Sequence, residues 1–274
     1  MLIGLGALAW LFTTGDTVSR LVYLSMLAYV PLSARLLLGP SAWREFMLLA
    51  AALPTVLGGP GAAYLWLAAT VGLAITALLA AWREPSGWLA LFPLAYPVVG
   101  AGWWLASRQG WAPLGFTEPI VSLTAAHFHH AALTPLAAAV LLSRQGGSRS
   151  LALALCALPP LVGLGITFSP ALELVGAVSF AGALGALSIH QLAYSRRVFA
   201  QSPLAGGLLG AGALFLAAGM VLGAWYAVGE YTGLEAPSIP TMVQTHAVLN
   251  GGGFGAATLL GWWIARRSPA AEKA

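Results

Sequence analysis

Three of the five histidines in this 274-residue chain stand together in the stretch LTAAHFHHAAL, residues 123–133. His127, His129 and His130 are flanked on both sides by apolar residues. A fourth, His246, precedes Asn250 by one helical turn in MVQTHAVLNGGGFG, residues 242–255. Imidazole has an unperturbed pKa of about 6.5, so two rings can divide the work of an acid and a base near neutral pH. In its neutral form the ring also ligates zinc, copper or iron. Glu118, just ahead of the first motif, and Glu173 are the carboxylates placed to fix a tautomer or relay a proton. His190, beside QLAYSRR, is expected at a membrane boundary and outside this group.

The medium around these residues follows from composition. The chain is 59% hydrophobic and 7% charged, against about 25% charged in a soluble domain. Its mean hydropathy is +0.84. No water-soluble fold hides that much apolar surface, so the class is an all-α, polytopic transmembrane helix bundle. A net charge of +4 would point to nucleic acid in a soluble protein. Here the basic residues are scattered in short connections and read as determinants of membrane topology, with no nucleic-acid partner. Cys156 is the single cysteine, which excludes an internal disulfide, a thiolate zinc site and an iron–sulfur cluster. It is expected to pack as a small apolar residue. MLIGLGALAW lacks a basic leader and reads as a first span, not a removable signal.

A helix needs about 20 apolar residues to cross a bilayer. Cutting the chain at its charged, Pro and Gly punctuation gives ten candidate spans, near 1–15, 20–38, 44–58, 61–82, 87–106, 119–143, 150–168, 171–194, 204–227 and 239–265. The first and third are short, so the count is nine to ten. The brief connections leave room for a single integral membrane domain, 1–274. With ten spans, Arg35, Arg44, Arg83, Arg144, Arg149, Arg196, Arg197, Arg266, Arg267 and Lys273 share one side, and only Arg20 and Arg108 face the other. Positive charge stays cytoplasmic, so both termini are expected inside a bacterial inner membrane.

Spans six, eight and ten then enter from the outer side. His127 lies about 12 Å below Pro119, and His246 about 10 Å below Ile239, at 1.5 Å per residue. His127 and His130 are three apart and are expected on one helix face, with His129 on another; His246 and Asn250 are four apart and share a face. Ionisable groups inside a membrane are costly and mark function by default. The glycines after Asn250 are read either as tight helix packing or as a locally broken helix lining a cavity.

GFTEP leading into LTAAHFHHAAL, followed by MVQTHAVLNGGGFG, resembles the YndJ-like family of bacterial membrane proteins. The resemblance is concentrated in those two motifs. The family pattern is close to His-Phe-His-Tyr-Ala in the first and His-Gly-x-x-Asn in the second, which by resemblance marks His127, His129, His246 and Asn250. The chain departs at His130, where the family has Tyr, and at Ala247, where it has Gly. The first departure argues against a ligand role for His130 and ranks His127 and His246 first. The family's members are often described as transporters.

The expected function is a membrane enzyme with an intramembrane His/Asn/Glu site, using acid–base or metal-assisted chemistry such as isomerisation or cyclisation on a lipophilic small molecule. The alternative is a proton-coupled transporter of a small molecule. The groups present also suit a purely structural role, each imidazole hydrogen-bonding a neighbouring helix. Cofactor, metal or haem, and oligomeric state are left open. No phosphate loop or Gly-x-Ser-x-Gly elbow occurs. The topology is checked by reporters fused after Ala274 and into the 144–149 connection: fluorescent protein is expected to mature at both positions, and alkaline phosphatase to stay inactive.

Overall fold

Helix boundaries fall where the punctuation puts them. Asp16, Ser41, Ser148, Ser169, Ser202 and Ser238 each accept a hydrogen bond from the backbone amide three residues on. That bond satisfies one of the amides a first helical turn leaves over. Pro170 and Pro203 follow their caps directly, at a position where no amide is needed. Gly110 and Gly233 close their helices in the left-handed region, at φ +68° and +73°, where a side chain would be strained.

The computed structural model describes residues 2–58 and 60–267, so Lys273 lies outside the described residues. Its helices are α1 (Leu2–Leu11), α2 (Thr17–Leu38), α3 (Ala42–Leu57), α4 (Ala63–Arg83), α5 (Leu91–Gln109), α6 (Ile120–His130), α7 (Thr134–Ser143), α8 (Arg149–Phe168), α9 (Pro170–Phe199) and α10 (Pro203–Thr232). In a last run, α11 (Ile239–Met242) continues through a π-helix (Val243–Phe254) into α12 (Gly255–Ala265). α6 and α7 form one span interrupted at Ala131–Leu133. Among the described residues the fold is therefore all-helical, with one helical run at each of the ten expected places.

Seven of these runs are long and apolar enough to cross a membrane. α1 has 10 residues, about 15 Å of rise, which is half of a hydrocarbon core of about 30 Å. α3 has 16 residues, or about 24 Å by the same rise. The first and third expected spans thus fall short, and the last run, divided by its π-helix, is not among the seven either.

The chain forms two compact units, Met1–Ala137 and Ala138–Ala274. In the first, α4 shows how the apolar surface is divided. Ala63, Trp66, Thr70, Leu73 and Ala77 are its buried residues, a stripe at spacings of three and four. The polar Thr70 is inside, while Leu65, Val71, Ile75, Leu78, Leu79 and Trp82 are exposed. A helix that shows its large apolar side chains outward is built for contact with lipid. α2 contains a π-helical turn, Ser25–Tyr29, and is buried along nearly its whole length from Leu21. An ion pair at 2.5 Å joins Arg35 near its end to Glu45 near the start of α3.

In the second unit α8, α9 and α10 run up and down with connections of one to three residues. The last run packs along α10 through small residues, because lipid tails leave close backbone approach as the main source of helix–helix attraction. A Cβ at Gly212 would lie 2.5 Å from Thr258 Oγ1 and 3.1 Å from Gln191 Nε2. Gln191 is fully buried and donates from that nitrogen to Leu209 O and to Thr258 Oγ1, at 2.9 and 2.8 Å. Gly212→Leu would force α10 away from both partners. It is expected to destabilise the protein by at least about 1–3 kcal/mol, read as a lowered midpoint of thermal unfolding in detergent, whereas Gly72→Leu, with open space around it, leaves the midpoint unchanged.

Candidate functional site

The residues singled out in the sequence fall into both units. Glu118, His127, His129 and His130 belong to the first, and Glu173, His246 and Asn250 to the second. Each set is described within its own unit.

In the first unit the three neighbouring imidazoles diverge. His129 is 0% exposed. Its Nδ1 lies 2.8 Å from Ala125 O, and its Nε2 lies 2.9 Å from Trp66 Nε1. A carbonyl only accepts and an indole only donates, so Nδ1 carries the proton and Nε2 the lone pair. The ring stacks on Trp66 and fills the space a side chain at Gly100 would take. Both nitrogens are used, and the ring is locked neutral between α4, α5 and α6.

His130 is also buried, and its Nε2 donates to Leu21 O at 2.9 Å. Ser25 Oγ donates to His129 O at 2.7 Å. That carbonyl is available because Leu133 N turns to His130 O where α6 ends. The two bonds staple α2 to the break between α6 and α7. Tyr29 meets the His130 ring edge-on at 5.6 Å. His127, by contrast, is exposed and donates Nδ1–H to Leu123 O of its own helix. The shared face expected for His127 and His130 is not formed: the buried side of α6 selects 129 and 130 together.

Glu118 is exposed and accepts from Ser122 N at 3.2 Å, tying down the first turn of α6. Partial burial acts to raise its carboxyl pKa. Hydrogen bonds from the Ser107 and Ser122 side chains and the Ser122 amide outweigh that and hold it below the ordinary value. It is a carboxylate at neutral pH with a capping role.

In the second unit the groups line up. The π-helix presents His246 and Asn250 one turn apart, and both seat in a notch on α10. A Cβ at Gly219 would lie 2.2 Å from Asn250 Nδ2, and one at Gly223 would lie 3.1 Å from His246 Cε1. Only glycine at these two places lets the polar side chains in. His246 Nδ1 donates to Gly219 O at 2.8 Å, so Nε2 carries the lone pair. Asn250 Nδ2 donates to His246 O at 2.8 Å. Its longer 3.3 Å approach to His246 Nδ1 sets donor against donor in that tautomer, so the carbonyl bond is the real one. Asn250 Oδ1 is buried and has no hydrogen-bond partner within the protein.

Tyr226 and Glu230 continue the stripe begun by Gly219 and Gly223, at helical spacings of three and four. Tyr226 donates to Glu230 Oε1 at 3.3 Å. Glu173, in the first turn of α9, is close enough to Glu230 for the two carboxylates to repel. The second unit therefore carries a polar series from Asn250 through His246 and Tyr226 to Glu230 and Glu173. Among the described residues no three His, Cys, Asp or Glu side chains gather as a metal ion would need.

Sequence reading missed Trp66, Ser25, Tyr226, Glu230 and the Gly219/Gly223 notch. The Gly-x-x-x-Gly spacing within α10 was the one signal available for the notch. Loss of the indole donor is expected to be felt in the fold: Trp66→Phe leaves buried His129 Nε2 without a partner and costs about 1–3 kcal/mol. His127→Ala, at an exposed ring, stays within about 0.5 kcal/mol. Both are measured by thermal unfolding in detergent.

No curated protein and no solved structure matches the chain. The family model described as YndJ-like protein matches residues 20–254, a stretch that takes in both histidine motifs and both units. The chain belongs to the YndJ-like family.

Proposed function

We propose that the protein is a proton-coupled membrane transporter of a small molecule whose proton pathway is the polar stripe of the second unit. The observation that supports this most directly is that His246 and Asn250 seat on the face of α10 that continues through Tyr226 to Glu230, with Glu173 of α9 near enough to Glu230 to repel it. His246 Nε2 is the group that takes the proton, because Nδ1 is committed to Gly219 O. Glu173 and Glu230 form the port at the other end of the stripe. Tyr226 stands three residues beyond Gly223, about 4.5 Å of helix rise, a gap that one water bridges. Asn250 Oδ1 is the acceptor offered to substrate.

The twelve-residue π-helix bears on the choice between transport and catalysis. π-helical turns of this length are rare and concentrate at functional sites. Gly251, Gly252 and Gly253 weaken this one further. Rewinding it to α-helix turns the residues beyond by a fraction of a turn and carries His246 and Asn250 out of the notch. Glycine-interrupted spans that line a binding site are a recurrent device of transporters. An acid–base enzyme acting on a lipophilic substrate would use His246 and Asn250 as well, but it returns its proton to the substrate and has no need of a stripe leading to a carboxylate pair at the helix ends.

The test is proton movement in sealed vesicles reconstituted with the full chain, containing a trapped pH dye and driven by a potassium diffusion potential. Internal pH is expected to change faster than in protein-free vesicles. His246→Ala and Glu173→Gln are each expected to slow the change at least about tenfold, the usual lower range for loss of a positioned proton-transfer group, with unchanged incorporation. Proton movement that both variants leave intact, or that does not exceed protein-free vesicles, sinks the proposal.

A further inference from the structure

The end of the second unit opposite Glu173 and Glu230 holds a cavity of ≈ 130 Å³. One wall is the turn Gly146–Gly147–Ser148 that leads into α8. The other is the last part of α9, which contributes His190, Tyr194 and Arg197. These three are four and three residues apart and share a helix face. Tyr194 is held flat against Trp262 at 4.9 Å. Arg266 and Arg197 both act electrostatically on Tyr194, and Arg144 acts on Arg266. Arg197 is the guanidinium that lines the cavity, and Arg266 stands near enough to its Tyr194 wall to act on it through charge.

The charge balance at this end is lopsided. Between residues 138 and 267 the carboxylates are Glu173, Glu230 and Glu235. Glu173 stands in the first turn of α9, and Glu230 and Glu235 stand at and beyond the end of α10. Arg144, Arg149, Arg196, Arg197, Arg266 and Arg267 all stand at the other end. Among the described residues no carboxylate shares it with them. A basic excess alone would serve membrane topology. A topological excess does not, however, require a walled cavity, a stacked tyrosine or a glycine turn.

We propose that this cavity binds a phosphate-bearing anion, held between Arg197 and the Gly146–Ser148 turn. Guanidinium presents a planar fork of donors that matches two phosphate oxygens. The first turn of the 20-residue α8 adds the positive end of a helix dipole at the cavity wall. Tyr194 and His190 supply further donors. Gly146, at φ +82°, and Gly147, whose amide donates to Leu142 O, end α7 so that Ser148 and the first turn of α8 stand at the cavity wall. The volume admits a phosphate with its immediate substituent. Two sources present this chemistry at a membrane surface: the headgroup of an anionic phospholipid, and a small soluble phosphate ester. The site is separate from the His246 stripe and does not depend on the function proposed for it.

The test uses the full chain purified in an uncharged detergent, with thermal unfolding followed as ligand is added. The probes are inorganic phosphate and a short-chain phosphatidylglycerol. The controls are chloride at equal ionic strength and a short-chain phosphatidylcholine. A saturable rise in the unfolding midpoint is expected with a phosphate probe and with neither control. Arg197→Gln is expected to raise the half-saturating concentration about tenfold, the size of one lost charge-assisted contact. Arg83→Gln, in the first unit, leaves it unchanged. Should Arg197→Gln fail to fold, His190→Ala, at an exposed residue that also lines the cavity, is expected to raise the half-saturating concentration in the same direction. A response to phosphatidylglycerol alone assigns a lipid headgroup; a response to inorganic phosphate assigns a soluble ester. No shift beyond the chloride and phosphatidylcholine controls, or a half-saturating concentration that the arginine variant does not move, overturns the site.

Discussion

Every imidazole in the two motifs gives an N–H to a main-chain carbonyl. His127 donates to Leu123 O, His129 to Ala125 O, His130 to Leu21 O and His246 to Gly219 O. Where water is scarce, a polar hydrogen without an acceptor costs more than most packing defects. The acceptors here are helical carbonyls that offer a second lone pair, one turn back on the same helix for His127 and His129 and on a packed helix for His130 and His246. This one requirement fixes the tautomer of each ring and leaves a single nitrogen per ring with which to do anything else.

That second nitrogen separates the four residues. In His129 it is consumed by the Trp66 indole, which turns the ring into a polar rivet between α4, α5 and α6. In His130 it is enclosed without a hydrogen-bond partner, and the ring's work is to staple α2. His127 is exposed. His246 alone pairs its fixed Nδ1 with a second polar residue on the same face, a glycine notch that seats both, and a line of further polar groups on the helix it packs against. Two motifs that look alike as strings of letters are thus held differently: the first is tied into its unit by His129 and His130, and the second seats His246 and Asn250 in a glycine notch.

The second unit is also polarised along its length. Glu173, Glu230 and Glu235 stand at one end of its long helices, and six arginines at the other. The asymmetry gives the two ends opposite charge, which is the basis both of the expected orientation in a membrane and of the two sites proposed above. Between the ends α10 and the last run approach closely at Gly212, Gly219 and Gly223 of α10 and at Gly253 and Gly261 of the last run.

By itself the sequence determined where helices lie, because the causes are local. A Ser or Asp three residues before an amide caps a helix, a proline starts one, and twenty apolar residues can remain in lipid. All ten expected runs are helical for those reasons, and the two that looked short are short. The Gly-Gly-Gly segment left two readings open, tight packing and a broken helix, and the structure has both: a π-helix runs across it and Gly253 packs against Phe215. What only the tertiary structure decided is what each histidine can do. His129 is committed by a tryptophan sixty-three residues away, and His130 by a carbonyl one hundred and nine residues away. Neither partner leaves a trace at the histidine's own position in the chain. Helical phase could not replace that knowledge: which face of α6 turns inward depends on what packs against it, and spacing alone paired 127 with 130 where the fold buries 129 and 130.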